Sequence, residues 1–265
     1  MRVPRPDTTA PVQPPRQFDS IATVYDSTRD PLDPETIEKL GEALRSRGVR
    51  KILEVGVGTG RVAVPLQALG FDVTGLDASV KMLARASAKG LARTLRGNAY
   101  RLPFFDQSFD AGLFVHVLHL LEDVPGALAE ASRVARHGAW ALVHPGAADG
   151  TASRGSREAW DRVYEILVTR GFPIPTGRGA GPRVRERAVL ERFPPSELVP
   201  LTDRMVTESY AKSLNFLAHG GSRHTLHVPK EALEEAVRIA RQEMGDRTFQ
   251  YREIESLAIW PSFEK

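Results

Sequence analysis

From residue 33 onward, two spacings of apolar residues take turns along the chain. ETIEKLGEALRSRG has the three-to-four-residue period of a helix, opened at Asp33 or Pro34 and ended at Gly48, and KILEVG after it is a short apolar run of the kind a buried strand carries. The exchange then repeats. RVAVPLQALG reads as a helix closing at Gly70 that tolerates Pro65 near its first turn, FDVTGLD as a second strand, and SVKMLARASAKG as a helix capped by Ser79 and stopped by Gly90. TLRGNA gives a weak third strand and FDAGLFVHVL a fourth. DVPGALAEASRVARHG is a helix with Asp123 at its start, and WALVHPG is a fifth strand. Strand–helix units in such succession predict an open, doubly wound, Rossmann-like α/β sheet that is mostly parallel.

Past Gly146 the regularity breaks. A helical stretch, SREAWDRVYEILVTRG, leads into a Gly/Pro/Arg-rich loop, FPIPTGRGAGPR, and then into a second helical stretch, RERAVLERF. Two more strands, near RMVTESYA and at YREIESLAIW, flank the helix KEALEEAVRIARQEMG and bring the sheet to seven strands. The expected organisation is therefore a disordered, proline-rich tail over residues 1–17 and one domain over 18–265. Within that domain, residues 147–200 form a helical insertion, a lid over the carboxyl edge of the sheet. The tail lacks the apolar stretch of a signal peptide.

Composition narrows the possible partners. The 265 residues carry 36 basic and 33 acidic side chains, a net charge of +3 too balanced for an electrostatic nucleic-acid binder. There is no apolar run of about 18 residues to span a membrane. The absence of cysteine removes disulfides and thiolate metal sites. The expectation is a cytoplasmic protein with no nucleic-acid or membrane partner.

The first strand runs into EVGVGTG, residues 54–60, with glycines at 56, 58 and 60. A phosphate-cradling loop would need a lysine after its last glycine, and Arg61 stands there instead. A dinucleotide fingerprint would want a third glycine at position 61, so the nicotinamide reading is weakened as well. What fits is a nucleoside without phosphate. Glycines let backbone N–H groups approach a ligand, and Asp77, at the end of the second strand and about 20 residues downstream, is placed to accept hydrogen bonds from ribose hydroxyls.

The chain from 18 to 146 also carries a resemblance. EVGVGTG, the second-strand GLD ending at Asp77, GNAYRLPFFDQSFD over 97–110 and HVLH over 116–119 resemble class I S-adenosylmethionine-dependent methyltransferases, in particular the small-molecule branch similar to ubiquinone-biosynthesis methyltransferases. FDSIATVYD, residues 18–26, is similar to the opening helix that covers the cofactor in that branch. The resemblance implies S-adenosyl-L-methionine as cofactor, S-adenosyl-L-homocysteine as product and a small-molecule acceptor methylated on O, N or C. It places Glu54, Gly56, Gly58 and Gly60 by the methionine and ribose parts, Asp77 on the ribose, and Tyr25 in the covering helix. Ala78 and Met82 would flank the adenine, Asn98 and Ala99 would contact its edge, and His116 would face the methionine end. Position 98 is usually aspartate in this branch, so Asn98 alters the donors and acceptors offered there.

His116, His119 and His144 end or follow strands at the same sheet edge, and each is a candidate general base. HVLH is not the HExxH of a zinc protease, and a metal site would need further ligands, so no metal is expected. His219, His224 and His227 read as a solvated loop, and Arg178, Arg183, Arg185 and Arg187 as a solvated basic run. The readings that compete with methyl transfer are a cofactor-binding sensor or scaffold without transfer activity and, less favoured, a nicotinamide-dependent oxidoreductase.

Overall fold

A computed structural model describes residues 18–19, 22–23, 25–26, 31–144, 151–174, 182–219, 225 and 227–261. The expected tail over 1–17 lies outside them, as do Arg178 and His224. In chain order the elements are α1 (Pro34–Ser46), β1 (Lys51–Val55), α2 (Ala63–Ala68), β2 (Asp72–Asp77), α3 (Val80–Ala88), β3 (Arg93–Arg96), β4 (Ala111–Val115), α4 (Val124–Val134) and β5 (Ala139–Val143). They continue with α5 (Thr151–Thr169), α6 (Pro182–Arg192), β6 (Glu197–Ser209), α7 (Tyr210–Ala218), α8 (Lys230–Met244) and β7 (Thr248–Trp260).

Local chemistry sets most of the boundaries. Asp33, Ser79 and Asp123 each accept a hydrogen bond from a first-turn N–H of the helix that follows, those of Thr36, Met82 and Gly126. Two of the boundaries that differ from the sequence expectation have a local cause. β4 stops at Val115 rather than running to residue 118, because His116 turns the chain with a φ of 49°, a left-handed conformation no strand continues through. β6 begins at Glu197 and ends at Ser209, whose hydroxyl accepts from Lys212 N–H and so opens α7 where a strand through residue 211 was expected.

The seven strands lie in the order β3-β2-β1-β4-β5-β7-β6. β1 to β5 are parallel, while β7 runs antiparallel to both β5 and β6. Register brings the carboxyl ends to one edge: Val55 pairs with Leu76 and with Phe114, and Val115 with Leu142. Each face of the sheet is buried under its own helices. Ile52, Trp140 and Leu142 pack with residues of α1, α2 and α3, and Leu53, Ala141 and Val143 pack with α4 and the apolar side of α6. Alternate residues of one strand go to opposite cores, as the period of two requires.

A third core has no share of the sheet's central strands. Val163 and Leu167 of α5, Leu214 and Leu217 of α7, and Val237 and Ala240 of α8 bury one another. The helical layer thus draws on α5 from the expected insertion and on α7 and α8 from the connection between β6 and β7.

Candidate functional site

Chain order reverses between β1 and β4, and ligands of open α/β sheets bind outside the strand ends at such a point. There the three glycines have different work. All have positive φ, 78° at Gly56, 55° at Gly58 and 76° at Gly60. A Cβ on Gly56 would sit 2.8 Å from Val117 Cγ2, and one on Gly60 would crowd Val64 and the Ala86 methyl of α3 at 3.1 and 3.3 Å. At Gly58 nothing lies within 4 Å, so this residue keeps open space in front of the turn.

Asp77 holds that turn in place. Its Oδ2 accepts from Gly58 N–H and its Oδ1 from Ser79 N–H, each at 2.8 Å. Burial pushes the Asp77 carboxyl up, against the lowering effect of the backbone N–H groups of Ser79, Gly58 and Ala78. Behind the turn, Glu54 is 2% exposed and its Oε2 is buried without a hydrogen-bond partner. Burial pushes its carboxyl up to about 8, the positive charge of Arg61 opposing and the negative charge of Asp77 adding. A carboxylate in that position calls for a cationic or donor group. Orphaned acid, open glycine and paired aspartate together fit the amino-acid and ribose ends of a nucleoside cofactor.

The residues around this turn contribute unequally. Described residues of the 19–26 segment lie against it: Thr59 Oγ1 donates to Asp26 Oδ1 at 2.6 Å, Lys89 Nζ reaches the same oxygen at 2.7 Å, and Arg85 donates to Thr23 O at 2.7 Å. Tyr25 stands within that segment. Ala78 follows Asp77 and receives Arg96 Nε on its carbonyl at 3.3 Å, and Met82 is buried at the start of α3. Asn98 Oδ1 accepts from Tyr100 N–H at 2.9 Å, a turn-stabilising bond that leaves the amide NH₂ as donor, and Ala99 packs on the second core.

All three candidate histidines converge, around two acids the sequence reading had not singled out. His116 N–H bonds to Leu142 O at 3.2 Å, which sets it beside the end of β5, and its ring stacks on that of His144 with centroids 4.2 Å apart. Glu186 of α6 places Oε1 3.1 Å from His119 Nδ1 and 3.6 Å from His116 Nδ1, and its Oε2 accepts from His144 N–H at 3.0 Å. Glu255 of β7 places Oε1 3.2 Å from His144 Nδ1 and 3.6 Å from His116 Nε2. Burial alone would lower the His116 pKa, but the two carboxylates outweigh it and raise it. Burial would raise that of Glu186, and the nearby ring of His116 together with the hydrogen bond to His119 holds it far below the usual carboxylate range instead.

Glu255 could have been found in the sequence, since it shares a strand face with Tyr251, Leu257 and Ile259, all buried. Glu186 gives no such signal among the charges of RERAVLERF. His219 and His227 are exposed and bonded to the carbonyls of Asn215 and Pro173, and Arg187 pairs with Glu191 on the surface of α6. Among the described residues no helix is long and apolar enough to cross a membrane.

A family profile described as a methyltransferase domain matches residues 53–143, the stretch from β1 to β5. The chain is 35% identical over 160 residues to the demethylmenaquinone methyltransferase of Mycolicibacterium paratuberculosis, covering 59% of this chain and 66% of that protein. It is 32% identical over 132 residues to the demethylmenaquinone methyltransferase of Streptomyces avermitilis, covering 48% of this chain and 57% of that one. In both cases the match spans less than two thirds of the relative's length. Among solved structures, a type II methyltransferase candidate from Anaeromyxobacter dehalogenans superposes with a TM-score of 0.54 at 20% identity, over 89% of this chain and 100% of that one. The YcgJ protein of Bacillus subtilis superposes with a TM-score of 0.52 at 19% identity, over 85% and 99%. These two carry the fold.

Proposed function

Starting from the chain's membership of the class I methyltransferases, we propose that it transfers the methyl group of S-adenosyl-L-methionine to a small-molecule acceptor. The observation that carries this reading is the turn at Gly58, braced by Asp77 and backed by the orphaned carboxylate of Glu54.

Asp77 commits one lone pair of each oxygen to the backbone, and the others remain to accept from the two ribose hydroxyls. Glu54 receives the α-ammonium of the methionine end, which supplies the positive charge its burial lacks. Gly56, Gly58 and Gly60 let the backbone come close, Tyr25 and the segment around it cover the ligand, and Ala78 and Met82 border the adenine. Asn98 offers its NH₂ to an adenine ring nitrogen where an aspartate could only accept, and Ala99 adds contact beside it.

When bound, the sulfonium cofactor provides a methyl group already electrophilic enough for displacement. The chain's task is then alignment, and effective molarities of about 10⁵ to 10⁸ M are within reach of well-held reactants. His119 is the best-supported general base of the three histidines. With Glu186 accepting at Nδ1, the neutral ring keeps its lone pair on Nε2, free to take a proton from an acceptor. In this reading the helical layer of α5, α7 and α8, with α6, closes over the acceptor and excludes water.

The relatives' names make demethylmenaquinone the first acceptor to try, both oxidised and reduced. Labelled methyl from the cofactor should appear in an extractable small molecule when a matching acceptor is supplied. Transfer only to protein or nucleic acid across a broad acceptor panel would overturn the small-molecule reading.

A further inference from the structure

Resting on the reading of His119 as general base, we infer that Glu186 is a positioning residue for methyl transfer. It fixes the His119 tautomer and, because it arrives on α6, makes the docking of that helix a condition of the base's competence. The cofactor turn and the base are then completed by different parts of the chain, the first by β1 to β5 and the second by a helix that follows them.

The contacts of Glu186 set it apart from its neighbours on α6. Arg187 pairs with Glu191 on the surface, whereas Glu186 is turned inward and 2% exposed. A buried carboxylate is costly unless its oxygens are occupied. Among the described residues the groups that occupy them belong to histidines of the candidate site. His119 Nδ1 lies 3.1 Å from Oε1, His144 N–H donates to Oε2 at 3.0 Å, and His116 Nδ1 stands 3.6 Å from Oε1. These neighbours keep the carboxyl ionised against the effect of its burial. An ionised carboxylate only accepts, so the hydrogen of a neutral His119 ring sits on Nδ1 and the lone pair on Nε2.

The two oxygens have different duties. Oε2 ties α6 to the end of β5 through a backbone N–H, which can only donate. Oε1 reaches the turn Leu118–Leu120, on which α6 packs, and sets the ring of His119 there. The helix has other anchors. Val189, Leu190 and Phe193 pack against the second core, and Trp260 Nε1–H donates to Phe193 O at 3.1 Å. Holding α6 in place therefore leaves Oε1 unexplained, and orienting the base explains it.

The test compares Glu186→Gln with the wild type in the full chain, labelled with ¹⁵N-histidine. The amide has the size of the carboxylate but one oxygen. With that oxygen on His144 N–H, its NH₂ faces His119 Nδ1, which can bond only as an acceptor, so the ring hydrogen moves to Nε2 and the base loses its lone pair. Nitrogen NMR, with the His119 signals assigned by their loss in His119→Ala, should show Nδ1–H in the wild type and Nε2–H in Glu186→Gln. The variant should bind S-adenosylhomocysteine as the wild type does and lose about 10² to 10⁴ in kcat with reduced demethylmenaquinone, the cost of a wrong tautomer. Phe193→Asp charges the apolar anchor at the far end of α6. Once circular dichroism shows it folded, it should lose the Nδ1–H preference and kcat in the same way. Wild-type protein with its His119 hydrogen on Nε2, or Glu186→Gln with tautomer and kcat unchanged, would overturn the proposal and leave methyl transfer standing. A folded Phe193→Asp with wild-type tautomer and kcat would overturn the condition placed on α6. A wild-type chain inert toward demethylmenaquinone and the wider acceptor panel would remove the base and this proposal together.

Discussion

Asp77→Asn separates holding the turn from holding the ligand. The carboxylate takes Gly58 N–H on one oxygen and Ser79 N–H on the other, both at 2.8 Å. An amide has one oxygen, so whichever way it is turned, one of these donors faces an NH₂ group. A donor left unsatisfied in a partly buried site costs about 1–3 kcal/mol. At roughly 2–4 °C per kcal/mol for a chain of this size, the melting temperature should fall by about 2–12 °C. Losing the charge and one acceptor should also weaken S-adenosylhomocysteine by at least about tenfold, or 1.4 kcal/mol, since hydrogen bonds to charged groups contribute about 1.5–3 kcal/mol each. Thermal unfolding and isothermal calorimetry on the same preparations read the two effects. An unchanged melting temperature would refute the brace. A lowered melting temperature with unchanged affinity would leave Asp77 as a structural cap and remove it from the ligand site.

Glu54 gives a pH prediction with a definite sign. Its folded-state pKa is about 8 against 4.5 for the ordinary carboxyl, so the folded chain keeps a proton that the unfolded chain has released, and stability falls as pH rises from about 4.5 to about 8 before levelling. Glu54→Gln should flatten that slope in urea unfolding and stabilise the free protein at pH 8 while weakening S-adenosylhomocysteine; a slope that persists in the variant assigns it to another group. Gly58→Ala should cost only the roughly 1–2 kcal/mol of a left-handed alanine yet abolish cofactor binding, whereas Gly56→Ala, whose Cβ meets Val117 at 2.8 Å, should destabilise more, as thermal melts would show. The reverse order would contradict the division of work among the glycines. His119→Ala should keep cofactor affinity by calorimetry and lose about 10² to 10⁴ in turnover with a true acceptor, and near-normal turnover would remove the base.

The parallel half of the fold was legible because each strand and helix there carries its own period and its own punctuation. Gly48, Gly70 and Gly90 end helices, Ser79 and Asp123 start them, and the glycine turn names the strand end where a ligand sits. The second half was harder because its elements are defined by one another. β6 and β7 are long antiparallel partners whose outer residues are polar, so their apolar signal is diluted, and α7 begins where strand-forming residues end. The histidines were identifiable at the sheet edge from topology alone. Their partners were not, because Glu186 and Glu255 come from 42 and 111 residues beyond His144 in the chain, and only the antiparallel return of β7 and the packing of α6 bring them in.

The central claim is that the turn at Gly58 and Asp77 holds the nucleoside of S-adenosylmethionine, and one calorimetric titration tests it most directly. S-adenosylhomocysteine and NAD are titrated separately into the full chain. One S-adenosylhomocysteine should bind per chain, with binding lost in Gly58→Ala, and NAD should give no heat of binding. Saturable NAD binding with none for S-adenosylhomocysteine would contradict it.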